Sequence, residues 1–144
     1  MNPYILLIEH NQGDIELTRR TFAKNRIANE IVVLRDGAEA CDFLFSGERG
    51  GHRLPQAILL DLKLPKVPGL EVLERIRADE RTRRIPTVIL TSSKQEEDLL
   101  EGYRLGTNSY VRKPVDFNEF VEAVRRVGLY WLVLNEPPPK EDSN

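Results

Sequence analysis

What most constrains this chain is a recurring pattern: short apolar runs that stop at polar side chains, with helical periodicity between them. "YILLI" stops at Glu9 and His10, "QAILL" at Asp61, and "IPTVIL" at Thr91, Ser92 and Ser93. Runs of that length bounded by polar and turn-forming residues read as buried strands. "NEIVVLRDG" adds a β-branched strand closed by an Asp-Gly turn, and "NSYVRKP" a last one ending at Lys113 before Pro114. Between them, "DIELTRRTFAKNRI" places Ile15, Thr18 and Phe22 on one helical face, and "AEACDFLF" forms a short helix. "GLEVLERIRADERT" spaces Leu70, Leu73, Ile76 and Arg77 as a helix with Val72 at its flank. "KQEEDLLEGYRLG" runs to a C-cap at Gly106, and "DFNEFVEAVRRVGLYWLVL" starts from Asp116 as N-cap. Five strands alternating with five helices predict an α/β, (βα)5 architecture: a five-stranded parallel sheet with helices on both faces.

The totals exclude several classes. A chain of 144 residues suits one domain, and a net charge of −2 gives no electrostatic case for nucleic acid or an anionic membrane. The arginines of "ERIRADERTRR" alternate with acids and carry no aromatics, as a solvated surface does. Cys41 is the single cysteine and sits in an apolar helical setting, so a buried structural thiol and a reducing cytoplasm are expected. The N-terminal apolar run is too short for a signal sequence or a membrane span. Residues 1–134 are expected to form one domain with a C-terminal helical extension, and the Pro-rich residues 135–144 a disordered tail, leaving nothing to build an output domain.

The winding rule for such sheets brings the carboxyl ends of the strands to one edge, where ligands bind. Glu9, Asp61, Thr91 and Lys113 therefore meet there, and two carboxylates with a hydroxyl and an ammonium suit a divalent cation plus a phosphoryl group. Over residues 4–127 the chain resembles the receiver domains of two-component response regulators, through "LLDLKLPKVPG", "ILTSS" and "YVRKP". The resemblance implies the flavodoxin-like fold, with Asp61 as phospho-acceptor from a sensor histidine kinase. It also implies that Thr91 hydrogen-bonds the new phosphoryl group, that Lys113 pairs with its charge, and that the Lys113–Pro114 bond is cis. Tyr110 becomes an aromatic switch that turns inward, against the plainer reading of a core tyrosine. Mg2+ would be held by Asp61, by an acid after the first strand (here Glu9), and by the backbone carbonyl of Lys63. "EHNQGDIELT", the long loop before "PQAILLDLKLP" and the late "YW" resemble single-domain regulators partnered with bacterial phytochrome-type kinases.

One departure falls at the metal. Such domains carry two adjacent acids after the first strand, whereas this chain has Glu9-His10. Imidazole in place of carboxylate removes a charge, and Lys63 adds an opposing one, so weak Mg2+ binding is expected. Three readings of His10 stand: a tolerated change in a working site, a mark of a pseudo-receiver adapter that binds partners without phosphorylation, or a preference for Mn2+ or Zn2+. Other chemistries fail on detail. "SGERGG" lacks the Gly-Lys-Ser/Thr ending of a phosphate-binding loop, and His52 within it has no partner at ligand spacing. A phosphatase of the haloacid dehalogenase type needs an Asp where Lys63 stands, so the chain is read as a signalling protein rather than an enzyme. Finally, "LYWLVL" at residues 129–134 is too apolar to leave in water. It is expected to pack in a homodimer against the face of the fourth helix, fifth strand and fifth helix, or else to fold onto its own domain.

Overall fold

The computed structural model describes residues 4–25, 29–46, 54–101 and 108–126. The order is β1 (Tyr4–Ile8), α1 (Gln12–Lys24), β2 (Glu30–Leu34), α2 (Gly37–Phe45), β3 (Ala57–Asp61), α3 (Gly69–Ala78), β4 (Thr87–Thr91), α4 (Lys94–Glu101), β5 (Asn108–Arg112) and α5 (Phe117–Arg126). The five strands form one parallel sheet in the order β2-β1-β3-β4-β5. The predicted (βα)5 sheet is therefore present.

Alternation along each strand divides the core in two. Tyr4, Leu6 and Ile8 of β1 join Ile58, Leu60 and Ile89 under α2, α3 and α4, where Ala40, Cys41, Leu44, Val72, Leu73, Ile76 and Leu100 cover them. Ile5 and Leu7 face the other way with Leu59, Val88, Leu90 and Val111, beneath Ile15, Phe22, Phe120 and Ala123 of α1 and α5. Phe22 and Phe120 meet with ring centroids 5.0 Å apart and tie these two helices together. A strand buried on both faces has no polar side to show, which explains why β1, β3 and β4 read as continuous apolar runs. Each fully buried Leu or Ile contributes about 1.5–3 kcal/mol. Cys41 lies in the first layer as expected, and burial raises its thiol pKa.

Two local readings need correcting. Asp36–Gly37 is not a free turn: Asp36 Oδ1 accepts from the Glu39 N–H at 2.7 Å as the N-cap of α2, and Gly37 is that helix's first residue. A Cβ on Gly37 would collide with the Val67 backbone, so glycine serves a close approach of α2 to the β3–α3 loop. Val72 is fully buried, while Arg77 remains partly in solvent. Asp116 does cap α5, accepting from Asn118 N–H at 2.8 Å. The Gly106 cap, His52, the apolar residues 129–134 and the tail at 135–144 lie outside the described residues. Among the described residues no helix is long and apolar enough to cross a membrane.

The register sets the working edge. Ile8 pairs with Leu60, Asp61 with Leu90, and Thr91 with Arg112. Glu9 and Asp61 thus stand level, with Thr91 one residue and Lys113 two residues further along, at the ends of four adjacent strands. Strand order reverses between β1 and β3, which opens a crevice above the carboxyl ends of those two strands.

Candidate functional site

Asp61 closes β3 and Glu9 follows β1, and both are nearly sealed from solvent, at 3% and 1% exposure. Glu9 is fixed by its own N–H, which donates to Leu34 O at 2.9 Å. Burial pushes the Glu9 carboxyl up to about 7, and the charge of Asp61 and a hydrogen bond to it push the same way. The Lys113 ammonium and the Asn11 N–H, which donates to Glu9 Oε2 at 3.2 Å, oppose that rise without cancelling it. Glu9 therefore holds its proton to near neutral pH.

Among the described residues one cation serves the whole cluster. Lys113 Nζ lies 2.9 Å from Asp14 Oδ2, 3.3 Å from both oxygens of Glu9 and 3.5 Å from Asp61 Oδ1. Burial pulls the Lys113 pKa down, but the Asp14 hydrogen bond and the charges of Asp61 and Glu9 outweigh it and hold the ammonium above its usual value. Its peptide bond to Pro114 is cis, as the resemblance implied. On the other side, the Lys63 N–H donates to Asp61 Oδ1 at 3.3 Å, which folds the β3–α3 loop over the carboxylate. That loop is tied to α2 through Gly37 N–H to Pro65 O at 3.1 Å and the Lys66–Asp36 ion pair at 3.7 Å. A Cβ at Gly69 would strike the Asp61 carbonyl oxygen and Leu62 Cα, so only glycine lets α3 start this close to the strand end.

Thr91 is fully buried, and its Oγ1 stands 3.3 Å from both Val111 O and Glu97 Oε2. Glu97 Oε2 also accepts from Arg112 Nε at 2.7 Å, and this hydrogen bond holds the carboxyl below its usual range. Tyr110, read as a switch or as a core tyrosine, is half-buried. Its ring packs against the α2–α3–α4 core layer, while its hydroxyl reaches Glu101 Oε2 at 3.2 Å. Burial and that carboxylate raise its pKa. Beside it a cavity of about 550 Å³ is lined by Glu97, Tyr110, Arg112, Asn118, Glu119 and Glu122, among others.

The structure thus brings Glu9, Asp61 and Lys113 into contact and places Thr91 on the neighbouring strand end. His10 is exposed, and Lys63 points its ammonium to Glu96 at 3.6 Å with the side chain 72% exposed. Among the described residues no three His, Cys, Asp or Glu side chains are gathered as a metal site would need. Three partners went unread in the sequence. Asp14 adds a carboxylate beside Lys113, so the acid lost at position 10 is made up in charge from the first turn of α1. Glu96 offsets Lys63, and Glu97 joins Thr91 to Arg112. A signal for Asp14 was available: Asn11 caps α1 by accepting from the Asp14 N–H at 2.9 Å, which pins that residue just above the β1 end.

The model of the response regulator receiver domain matches residues 5–125. The chain belongs to that family. As a receiver domain it is 43% identical over 134 residues to the probable methanogenesis regulatory protein FilR2 of Methanothrix harundinacea (strain 6Ac), covering 93% of this chain and 86% of that one. Its fold matches the solved structure of the bacteriophytochrome response regulator AtBRR at a TM-score of 0.81 and 48% identity, covering 94% of this chain and 99% of the other. The Mn(2+)-bound form of the response regulator Rcp1 gives a TM-score of 0.71 at 34% identity, covering 96% and 99%. By sequence, Rcp1 of Synechocystis sp. (strain ATCC 27184 / PCC 6803 / Kazusa) is 37% identical over 129 residues, 89% of this chain and 88% of that one. This receiver is homologous to phytochrome response regulators.

Proposed function

We propose that this receiver is a stand-alone response regulator that takes a phosphoryl group on Asp61 from a sensor histidine kinase of the phytochrome type. The observation that carries the reading is the Asp61 carboxylate, buried at a strand end with the Lys113 ammonium 3.5 Å away. Similarity to AtBRR over 99% of that chain supports both the kinase class and action without a fused output domain.

In the proposed transfer an Asp61 Oδ attacks the phosphorus of a phosphohistidine. The O–P bond forms, the P–N bond breaks, and the departing imidazole takes up a proton. Lys113 then moves its charge from carboxylate to phosphoryl oxygens, and the Thr91 hydroxyl supplies a hydrogen bond to them. The donor set fits a hard divalent cation, because the Glu9 and Asp61 carboxyl groups are buried side by side and the charge of Asp61 pushes up the Glu9 pKa, a repulsion such an ion would relieve. Glu9, Asp61 and the Lys63 carbonyl are the groups to hold it, and bound Mg2+ would neutralise charge on the transferring phosphoryl group. With His10 in solvent, the cation meets one carboxylate fewer than in receivers with paired acids, so binding is weak. The Mn(2+)-bound Rcp1 structure supports a place for such an ion. The reading includes a cytoplasmic site of action, where kinase catalytic domains hold their ATP, and a homodimer through residues 129–134.

Mixing the protein with a radiolabelled, autophosphorylated phytochrome-type kinase tests this. Label should pass to the wild type and not to Asp61→Asn, which keeps the side-chain shape without a nucleophile. No transfer to the wild type would favour a pseudo-receiver adapter, the reading to which His10 gives weight.

A further inference from the structure

We propose that Glu97 is a positioning residue for Thr91, held in place by Arg112, so that the pair latches the Thr91 hydroxyl away from the Asp61 edge until a phosphoryl group claims it. The inference rests on Asp61 as phospho-acceptor and adds a control on that site from the protein surface.

A threonine hydroxyl has one proton to donate. Here two acceptors stand at 3.3 Å, Val111 O and Glu97 Oε2, and neither belongs to the acidic cluster. Thr91 is fully buried, so water does not compete. To serve a phosphoryl oxygen on Asp61, the hydroxyl must let go of both. Of the two, the carboxylate is the stronger acceptor. Its position depends on Arg112, whose Nε reaches the same oxygen at 2.7 Å and keeps the carboxyl ionised. The latch is therefore a three-residue chain that shares one oxygen atom.

Its two ends sit in different media. Thr91 is inside, whereas the Arg112 side chain is half exposed and lines the cavity formed with Tyr110, Asn118, Glu119 and Glu122. Register makes the connection short, because Thr91 and Arg112 are direct partners across β4 and β5. Whatever moves the Arg112 guanidinium shifts the oxygen on which the Thr91 proton rests. By linkage, drawing Thr91 toward a phosphoryl group loosens Arg112 at the surface to the same extent.

The experiment has two arms. In the first, each variant is incubated with acetyl phosphate and Mg2+, and the ratio of phosphorylated to free protein is read by intact mass. Glu97→Ala should raise that ratio about two- to tenfold, the range expected for releasing one hydrogen bond, and Arg112→Ala should raise it by less. Glu97→Gln, which restores an uncharged acceptor, should fall between Glu97→Ala and wild type. All three effects should vanish in a Thr91→Ala background. An unchanged ratio in Glu97→Ala, or an equal rise without Thr91, overturns the latch. In the second arm, NMR of the unphosphorylated protein follows the Thr91 side chain. Arg112→Ala should shift its resonances, and resonances that stay put overturn the latch whether or not phosphate is ever accepted. A wild type that takes no phosphate would instead defeat the acceptor reading, leaving the resonance shift to decide the latch.

Discussion

The acidic cluster and the Thr91–Glu97–Arg112 chain stand side by side on one sheet edge, yet they handle charge in opposite ways. Glu9 and Asp61 are sealed in protein, repel each other, and share a single ammonium with Asp14. Glu97 and Arg112 form a matched pair with the guanidinium half in water. In a buried site charges are poorly screened, so the cluster stores an imbalance that a phosphoryl group and a cation can use. At the surface an ion pair stores little. The difference accords with the proposed division, in which the buried side does the chemistry and the surface side responds to it.

The comparison breaks most readily at Lys113. Replacing it by Ala takes from Glu9, Asp14 and Asp61 the ammonium that each of them contacts, and the loss of stability should be about 3–5 kcal/mol. Urea unfolding at neutral pH measures it. A loss as small as that expected for Arg112→Ala, about 0.5 kcal/mol or less, would erase the contrast between the two regions.

The next effect comes from pH. The folded protein holds the Glu9 proton up to about 7, well above the 4.5 of an ordinary glutamate carboxyl. Between those two values the folded state binds a proton that the unfolded chain has already released. The contribution of Glu9 to stability is therefore full below the lower value and is lost as pH rises through about 7, by up to about 3 kcal/mol. Thermal melts of metal-free protein across this window should show the decline. Glu9→Gln should flatten it, and added Mg2+ should offset it.

Why part of this was legible in the sequence follows from distance along the chain. Glu9, Asp61, Thr91 and Lys113 each end a strand, and parallel register converts that local fact into a shared location. Asp14, Glu96 and Glu97 lie instead in or beside helix first turns, where a run such as "KQEED" reads as ordinary surface charge. Only the caps that start those helices fix which acid leans back over the sheet: Asn11 for α1, and Ser93, whose Oγ accepts from Glu96 N–H at 3.2 Å, for α4. The charge tally drawn from His10 and Lys63 missed Asp14 for that reason. At Asp36–Gly37 the same dipeptide serves a turn or a helix start, and the approach of Val67 decides for the latter.

Asp14 gives a smaller test. Its pair with Lys113 is partly open, at 29% and 14% side-chain exposure. Asp14→Asn should cost about 1 kcal/mol, between the cluster and the surface pair. A cost as large as that of Lys113→Ala would make Asp14 a full member of the buried set. His10→Asp should change stability least, because the side chain is in solvent. It should still tighten Mg2+ severalfold in calorimetric titration by supplying a third carboxylate beside Glu9 and Asp61. Unchanged affinity would show that position 10 does not face the ion.

Intact mass after incubation with acetyl phosphate and Mg2+, with the modified peptide then located, bears most directly on Asp61 as the acceptor. The wild type should gain one phosphoryl group that hydroxylamine removes and that maps to the peptide containing Asp61, and Asp61→Asn should gain none. A phosphate that persists in Asp61→Asn, or a wild type that gains none while remaining folded, would contradict the account.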